Sequence, residues 1–335
     1  MLNHQNIYDV FNGDADGICA LLQLRLEQEL PEAKPVTGVK RDIRLLEQVK
    51  AKPRDELTVL DVSLDSNRSE LMRALADGAR LTWFDHHYAG DIPRHANLRA
   101  FIDTSAETCT SLLVDRHLGG ARRSWAIVGA FGDNLTALGE RLSAEAGLDA
   151  TQTAALRDLG EALNYNAYGE SLADLRYHPA TLYRLLKQYR RPLAFVAEAP
   201  AYAALREGYR EDMKLAGDLR PALAEAWGAV YILPDAAWAR RVSGVFANRV
   251  AAASPQRATA VLTGRPGGGY VVSVRAPLAR PDGADALCRQ FESGGGRKAA
   301  AGINRLPETE MERFAKAFQT AFVPPTACCA SHSFI

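Results

Sequence analysis

The chain has 335 residues, of which 40 are basic and 40 are acidic, so its formal net charge is zero. The length predicts about two domains, and the shares of hydrophobic residues (47%) and charged residues (24%) are those of a globular protein with a sizeable core. Proteins that track long nucleic acid usually have a clear basic excess. The balanced charge therefore limits any nucleic-acid substrate to a short one.

The cysteines are scattered, odd in number and never spaced as CxxC: Cys19, Cys109, Cys288, Cys328 and Cys329. This pattern favours a reduced, cytoplasmic protein over a disulfide framework. The first residues lack a basic segment followed by an apolar run, and no apolar stretch approaches the ~20 residues of a membrane span. We therefore expect neither a secretory signal nor a membrane partner.

The first predicted strand, over residues 7–11, leads into an Asp-rich loop of sequence NGDADG at residues 12–17. A helix is predicted over 18–30 from its leucine spacing. Asp14 and Asp16 lie two residues apart in a loop that leaves a strand, so both carboxylates can converge on one ion or on two adjacent ions. The alternative is a helix N-cap, which would account for one aspartate and leave the other unexplained.

Two further predicted strands end in ligand-type side chains. The strand over 56–62 carries Asp61, whose buried charge would be costly without a partner such as a metal ion. The strand over 79–83 leads to Asp85, His86 and His87, at the end where open α/β sheets bind ligands. This trio suits a divalent metal or a phosphate, and its alternative is a polar loop that caps the strand. Aspartates at other strand ends favour the ligand site.

The remaining elements of the first half alternate between strand and helix. We predict a short strand over 35–39, helices over 43–49, 66–76 and 105–118, and a strand over 100–103. An apolar helix or strand over 125–131 ends in Gly132-Asp133-Asn134. This alternation predicts an α/β fold with a doubly wound, mainly parallel sheet, in which Asp133 would lie in a loop after a strand.

Composition predicts an N-terminal α/β domain (1–191), a helical linker (192–227), a smaller α/β domain (228–323) and a disordered tail (324–335). Residues 183–191 are basic with interleaved aromatics, which is more typical of a solvated helix face than of a nucleic-acid contact.

The second domain is predicted to contain strands over 229–233, 258–263 and 269–275, of which the last two form a hairpin, and a helix over 284–291. The sequence SGGGRKAAAG follows at residues 293–302. Its three glycines, Gly294, Gly295 and Gly296, precede Arg297 and would let the backbone approach an anion closely. The alternative is a flexible turn.

These motifs, in this order and spacing, resemble the DHH phosphoesterase family with its first type of associated C-terminal domain, over roughly residues 7–310. The family includes RecJ-type exonucleases, nano-RNases and cyclic-dinucleotide phosphodiesterases. The resemblance implies hydrolysis of short oligonucleotides or dinucleotides to mononucleotides with two divalent cations, Mn²⁺ or Mg²⁺, held between the domains. A homodimer is compatible with it, although nothing in the sequence requires one.

The resemblance also implies roles for individual residues. Asp61 would bridge two metal ions, with Asn12 and Asp14 on the first ion and Asp16, His86 and Asp133 on the second. Asp85 would accept a hydrogen bond from a ligand histidine, and His87 would face the phosphate. The substrate would be held by Arg275, Gly294, Gly295, Gly296 and Arg297.

Two residues depart from the family pattern. Asn12 stands where His or Asp is usual. Its amide oxygen can still bind a metal ion but brings no negative charge, which predicts a first metal site that is weaker or completed by other ligands. Arg297 replaces a histidine; arginine binds phosphate but cannot transfer protons near neutral pH. Three alternatives stay open: an inorganic pyrophosphatase, which normally has another C-terminal domain, a processive single-strand exonuclease, and a nucleotide-binding regulator that has lost catalysis.

Overall fold

The computed structural model describes residues 5–323, which form two compact units that divide between Gly208 and Tyr209. This point lies inside the stretch predicted as a linker. The predicted tail, with Cys328 and Cys329, lies outside the described residues. Across residues 5–323, no helix combines the length and the apolar character that crossing a membrane requires.

The first unit contains a five-stranded sheet in which every neighbouring pair of strands is parallel. Its order is β2-β1-β3-β4-β5, and its strands are β1 (Ile7–Phe11), β2 (Lys34–Val36), β3 (Glu56–Leu60), β4 (Arg80–Asp85) and β5 (Leu98–Ile102). The strand order reverses between β1 and β3, and such a switch point is where open α/β sheets bind ligands. Phe11 pairs with Leu60, and Leu60 with Phe84, so β1, β3 and β4 end side by side.

Helices cover both faces of this sheet, as predicted for a doubly wound fold. The helices of the first unit are α1 (Ala15–Glu27), α2 (Arg68–Ala76), α3 (Thr110–His117), α4 (Arg123–Gly132), α5 (Thr136–Glu145), α6 (Ala150–Ala167), α7 (Pro179–Leu186) and α8 (Pro192–Glu198). Helix α9 (Pro200–Gly217) contains the division between the two units. Alternate strand residues enter different cores, because successive side chains of a strand point to opposite faces. Phe11, Leu60 and Phe84 belong to one core, and their neighbours Val10, Val59 and Trp83 belong to the other.

Residues 125–131, left open between helix and strand, form helix α4. The prediction that Asp133 follows a strand is therefore wrong: it caps the C-terminus of α4. Every residue from Trp125 to Gly132 is buried, as in a helix that is apolar all round. Other boundaries shift as well. Helix α1 begins at Ala15, and the helix predicted over 43–49 is a single 3-10 turn, Leu45–Gln48.

The second unit contains a mixed six-stranded sheet of order β10-β11-β9-β8-β7-β6. Its strands are β6 (Leu223–Ala224), β7 (Gly228–Leu233), β8 (Ala258–Gly264), β9 (Tyr270–Arg275), β10 (Gly294–Gly296) and β11 (Ala300–Leu306), and its helices are α10 (Ala237–Ala253), α11 (Ala284–Cys288) and α12 (Met311–Phe322). The predicted hairpin is confirmed as β8–β9. Helix α10, which the sequence did not predict, connects the parallel strands β7 and β8. The glycine motif forms the hairpin β10–β11.

Candidate metal centre

The two aspartates of the NGDADG sequence bind different groups. Asp14 is the N-cap of α1, and its Oδ1 accepts hydrogen bonds from the backbone N–H groups of Asp16 and Gly17, both at 3.1 Å. The carboxylate of Asp16 accepts the N–H groups of Thr110 at 2.7 Å and Ser111 at 2.8 Å, at the start of α3. Each carboxylate therefore lies at a helix N-terminus, which stabilises negative charge.

Asp61 follows β3 in a left-handed backbone conformation with φ of 58°. This conformation is uncommon outside glycine, although aspartate is among the residues that tolerate it, and such conformations cluster at functional sites. The N–H of Asp61 still donates to Phe84 O at 3.0 Å, which ties it to the end of β4. Its Oδ1 accepts a hydrogen bond from Thr110 Oγ1 at 3.1 Å and lies 3.4 Å from His86 Nε2.

The two histidines after β4 have different partners. Asp85 and His87 are two residues apart and share a side of the chain, and His87 Nδ1 lies 2.7 Å from Asp85 Oδ1. His86 points elsewhere and donates its Nδ1–H to Thr108 O at 3.0 Å, because a carbonyl can only accept. We predicted that Asp85 orients the ligand histidine, but Asp85 contacts His87 and not His86. The carbonyl of Thr108 orients that ring and directs its Nε2 towards the carboxylates.

Asp133 reaches this group from the end of α4 because α4 and α1 approach very closely. A Cβ atom at Gly132 would lie 2.2 Å from Ala15 Cβ, so only glycine fits there. Asp133 Oδ2 lies 3.7 Å from His86 Nε2.

The ligand-type atoms around His86 have the spacing of a metal site. His86 Nε2 lies 3.4 Å from Asp61 Oδ1, 3.7 Å from Asp133 Oδ2 and 4.0 Å from Asp16 Oδ2. Around an octahedral ion with bonds of about 2.1 Å, neighbouring ligand atoms lie about 3 Å apart and opposite ones about 4.2 Å apart. The distances around His86 Nε2 therefore fall in the range of a divalent-ion site. His86 belongs to two ligand clusters, one with Asp16 and Asp133 and the other with Asp61 and His87. Oxygen and imidazole ligands without thiolate suit Mn²⁺ or Mg²⁺.

The carboxylates lie so close together that they perturb one another's pKa. Burial, together with the charges of Asp14 and Asp16, raises the pKa of Asp61 well above its ordinary value and that of Asp133 to about 6. Burial would lower the pKa of His86, but the hydrogen bond to Asp61 and the nearby carboxylates outweigh it and raise that pKa to about 10. Without metal, the cluster of His86 and the carboxylates therefore keeps a bound proton at neutral pH. The proton provides positive charge where a metal ion would otherwise provide it.

Lys40, which the sequence analysis did not single out, lies among these carboxylates. Its Nζ lies 2.6 Å from Asp14 Oδ2 and 3.8 Å from Asp133 Oδ1. No motif marks this residue. Its only signal is its place after β2, the strand that pairs with β1. Thr108, Thr110 and Ser111, which hold His86, Asp61 and Asp16 in place, were missed for the same reason.

A pocket of about 100 Å³ lies beside the cluster within the first unit. Its lining residues are Asn12, Asp14, Lys40, Ile43, Asp61, Ser63, His87 and Asp133. Most of the predicted ligands therefore border one cavity, with His87 on its wall.

The predicted substrate-binding residues belong to the second unit. Arg275 ends β9 and donates from Nε to Asn248 Oδ1 at 2.6 Å. It pairs across the sheet with Ala300, whose carbonyl accepts the N–H of Arg297, so the two arginines have a common backbone neighbour. The glycines also have packing roles: a Cβ atom at Gly294 would lie 1.7 Å from Cys288 O, and Gly296 has φ of 140°.

The aromatics of residues 183–191 pack inward. Tyr183 is buried, and the ring of Tyr189 meets that of Phe195 with centroids 5.2 Å apart. Both rings pack against the core of the first unit. This packing favours the interpretation as a helix face over that as a nucleic-acid contact.

No family model and no curated protein sequence matches the chain. Solved structures do. Exonuclease RecJ bound to manganese aligns with a TM-score of 0.61 and 20% identity, over 94% of this chain and 89% of that one. RecJ from Thermus thermophilus, in complex with Mn²⁺, aligns with a TM-score of 0.55 and 20% identity. That alignment covers 94% of this chain and 52% of the longer RecJ chain. The pGpG-specific phosphodiesterase PggH from Vibrio cholerae aligns with a TM-score of 0.54 and 16% identity, over 94% of this chain and 98% of that one. The chain thus has the two-domain α/β fold of these proteins, which supports the resemblance to the DHH family at the level of the fold.

Proposed function

We propose that the protein is a metal-dependent phosphoesterase that hydrolyses short oligonucleotides or dinucleotides, cyclic ones included, to mononucleotides. The observation that carries the proposal is the convergence of His86 Nε2 with the carboxylates of Asp16, Asp61 and Asp133 at metal-ligand spacing. The fold supports it, because RecJ is an exonuclease and PggH a phosphodiesterase. The unpaired state of Cys19, Cys109 and Cys288 supports a cytoplasmic location.

A divalent ion would be held by Asp16, His86 and Asp133, which form one ligand cluster, and we propose Asp61, from the second cluster around His86, as its further ligand. When bound, such an ion polarises a phosphoryl oxygen and lowers the pKa of a water molecule. We propose Mn²⁺ as this ion because both RecJ structures contain manganese. Mg²⁺, which prefers the same oxygen ligands, is the alternative.

In this proposal, His87 donates a hydrogen bond to the substrate's phosphate, and Asp85 holds the imidazole ring in place. The hydrogen bond to Asp85 is the largest of the influences that raise the pKa of His87, so the ring keeps a proton to donate to a phosphate oxygen. Asp85 is fully buried, so water does not compete for its hydrogen bond to the imidazole.

Arg275, Arg297 and the backbone of Gly294, Gly295 and Gly296 are our candidates for binding the substrate's phosphate or terminal nucleotide. Guanidinium groups bind phosphate through paired hydrogen bonds. Arg297 cannot donate or accept a proton near neutral pH, so it would contribute binding alone.

A single-strand exonuclease is the second candidate, favoured by the similarity to RecJ. The zero net charge argues against it, because long strands are attracted mainly by excess positive charge.

The test is a substrate panel assayed with Mn²⁺ before and after chelation: a linear dinucleotide, a cyclic dinucleotide, phosphoadenosine phosphate and short single-stranded DNA. We expect turnover of at least one short substrate, its loss on chelation and its return with Mn²⁺. Turnover that survives complete metal removal would overturn the metal-dependent mechanism. Stoichiometric nucleotide binding without turnover on any substrate would favour a regulator over an enzyme.

A further inference from the structure

We propose that the ammonium group of Lys40 takes the place of the first divalent ion, so that the centre holds one metal ion beside a fixed side-chain cation. The inference rests on the proposed function, because it presumes that the carboxylate cluster binds metal. It replaces the two-ion arrangement that the family resemblance implied, and Asp61 then serves one ion and bridges none.

Asp14, assigned to the first ion, has both carboxylate oxygens occupied. Its Oδ1 accepts the two backbone N–H groups that begin α1, and its Oδ2 lies 2.6 Å from Lys40 Nζ. Among the described residues, neither cluster with metal-ligand spacing includes Asp14. The cation that Asp14 meets in this structure is therefore the lysine.

Asn12, which was also assigned to the first ion, anchors Lys40. Its Oδ1 accepts the N–H of Asp14 at 3.2 Å, and its Nδ2 donates to the backbone carbonyl of Lys40, also at 3.2 Å. On the other side, the N–H of Lys40 donates to Ala167 O at 2.9 Å. Compared with a charged metal ligand, Asn12 lacks the negative charge but provides an N–H donor that fixes the backbone of Lys40. An ionised aspartate could not make this pair of hydrogen bonds, because its carboxylate has no hydrogen to donate.

The side chain of Lys40 has further partners that hold its ammonium group at this position. Nζ donates to Asn164 Oδ1 at 3.2 Å and lies 5.8 Å from the ring centroid of Tyr168. Its side chain is 28% exposed. A lysine ammonium group is cationic throughout the neutral range, and these contacts hold its charge beside Asp14.

The charges of the centre agree with this assignment. Four carboxylates converge here, those of Asp14, Asp16, Asp61 and Asp133, and Lys40 neutralises one of them at contact distance. In the arrangement that the resemblance implied, a second divalent ion would have to displace the ammonium group from Asp14. It would then share Asp61 with the other ion and have the uncharged Asn12 as its remaining protein ligand. In the reaction, Lys40 would supply beside the phosphate the positive charge that a second ion supplies in two-metal centres.

Binding of Mn²⁺ tests the inference without any need for turnover. Equilibrium dialysis at saturating Mn²⁺ gives the number of ions per chain, and electron paramagnetic resonance distinguishes an isolated ion from a spin-coupled pair. We expect one isolated ion in the natural protein and two coupled ions in Lys40→Gln. The matched control is Arg41→Gln, which removes an exposed partner of Glu170 next along the chain and should leave one ion.

Four outcomes would contradict the inference or its basis. Two coupled ions in the natural protein would overturn it, and so would a single ion in a folded Lys40→Gln variant. Lys40→Arg keeps the charge and should bind one ion, so a second ion there would overturn it even if Lys40→Gln failed to fold. No bound Mn²⁺ in the natural protein would instead overturn the proposed function, which distinguishes the two failures.

Discussion

Asp14 and Asp16 show how two identical side chains in one loop acquire different tasks. Both were equal candidates for metal ligands, because their spacing allows both to converge on ions. The structure separates them through contacts that are distant in sequence: Lys40 occupies Asp14, whereas Thr110, Ser111 and His86 surround Asp16. The sequence could therefore identify the carboxylates but could not divide them between cap and ligand.

Metal binding should release protons at neutral pH. Without metal, His86 has a pKa raised from 6.5 to about 10, so its charge stabilises the metal-free fold fully below pH 6.5 and loses that effect as pH rises through about 10. Because an ion must displace this proton, Mn²⁺ affinity should increase with pH across that window.

Calorimetric titration with Mn²⁺ in buffers of different ionisation enthalpy measures this release. At pH 7 we expect the observed heat to depend on the buffer with a slope of about one proton per ion. Heats that are independent of the buffer would show that His86 is neutral before metal binds, contrary to its raised pKa.

Helices α4 and α6 pack at a contact that only glycine permits. A Cβ atom at Gly160 would lie 2.5 Å from Val128 O and 2.8 Å from Gly132 N. The sequence left residues 125–131 open because an unbroken apolar run has no periodicity. Tertiary packing makes this segment a helix, and the end of that helix places Asp133 at the cluster. The sequence analysis had placed Asp133 after a strand.

Gly160→Ala should therefore destabilise the first unit by roughly 1–3 kcal/mol, because the obstructing atoms are backbone and cannot rotate aside. The matched change is Gly244→Ala within α10, where an added Cβ meets nothing within 4 Å. That change should stabilise by about 0.5–1 kcal/mol, as expected for removing a glycine from a helix. Thermal unfolding of the two variants measures both effects, and shifts of the same sign would contradict the packing argument.

The hairpin β10–β11 was predicted only as a glycine motif. Glycine and alanine carry no alternation of apolar and polar residues, so the period that marks a strand is absent. Hydrogen-bonded pairing with β9 supplies the structure instead. By contrast, β3, β4, β8 and β9 carry β-branched and aromatic residues, and their existence was predicted correctly.

On the scale of the whole molecule, the alternation of strands and helices was enough to predict the α/β fold class. The acidic and histidine residues after several strands were predicted to meet because parallel strands place their C-terminal loops at one edge of the sheet. Contacts such as that between Asn12 and Lys40 O lay beyond reach, since they depend on how the loop after β2 is placed.

Substrate length is the property on which the zero net charge bears most directly. A chain with 40 basic and 40 acidic residues lacks the long-range attraction that holds extended nucleic acid. We expect kcat/KM at near-physiological salt to be higher for a dinucleotide than for a long single strand. A clear preference for the long strand would favour the exonuclease alternative.

The most direct test of the metal centre compares Asp61→Asn with the natural protein in hydrolysis of a dinucleotide with Mn²⁺. Asparagine tolerates the left-handed backbone of Asp61, so the substitution removes a charge without adding strain. The control is Asp158→Asn, which removes only an exposed partner of Arg206. We predict that Asp61→Asn lowers kcat by about 100-fold or more while Asp158→Asn leaves it unchanged. A kcat for Asp61→Asn within about twofold of the natural protein's would show that this cluster does not perform the reaction.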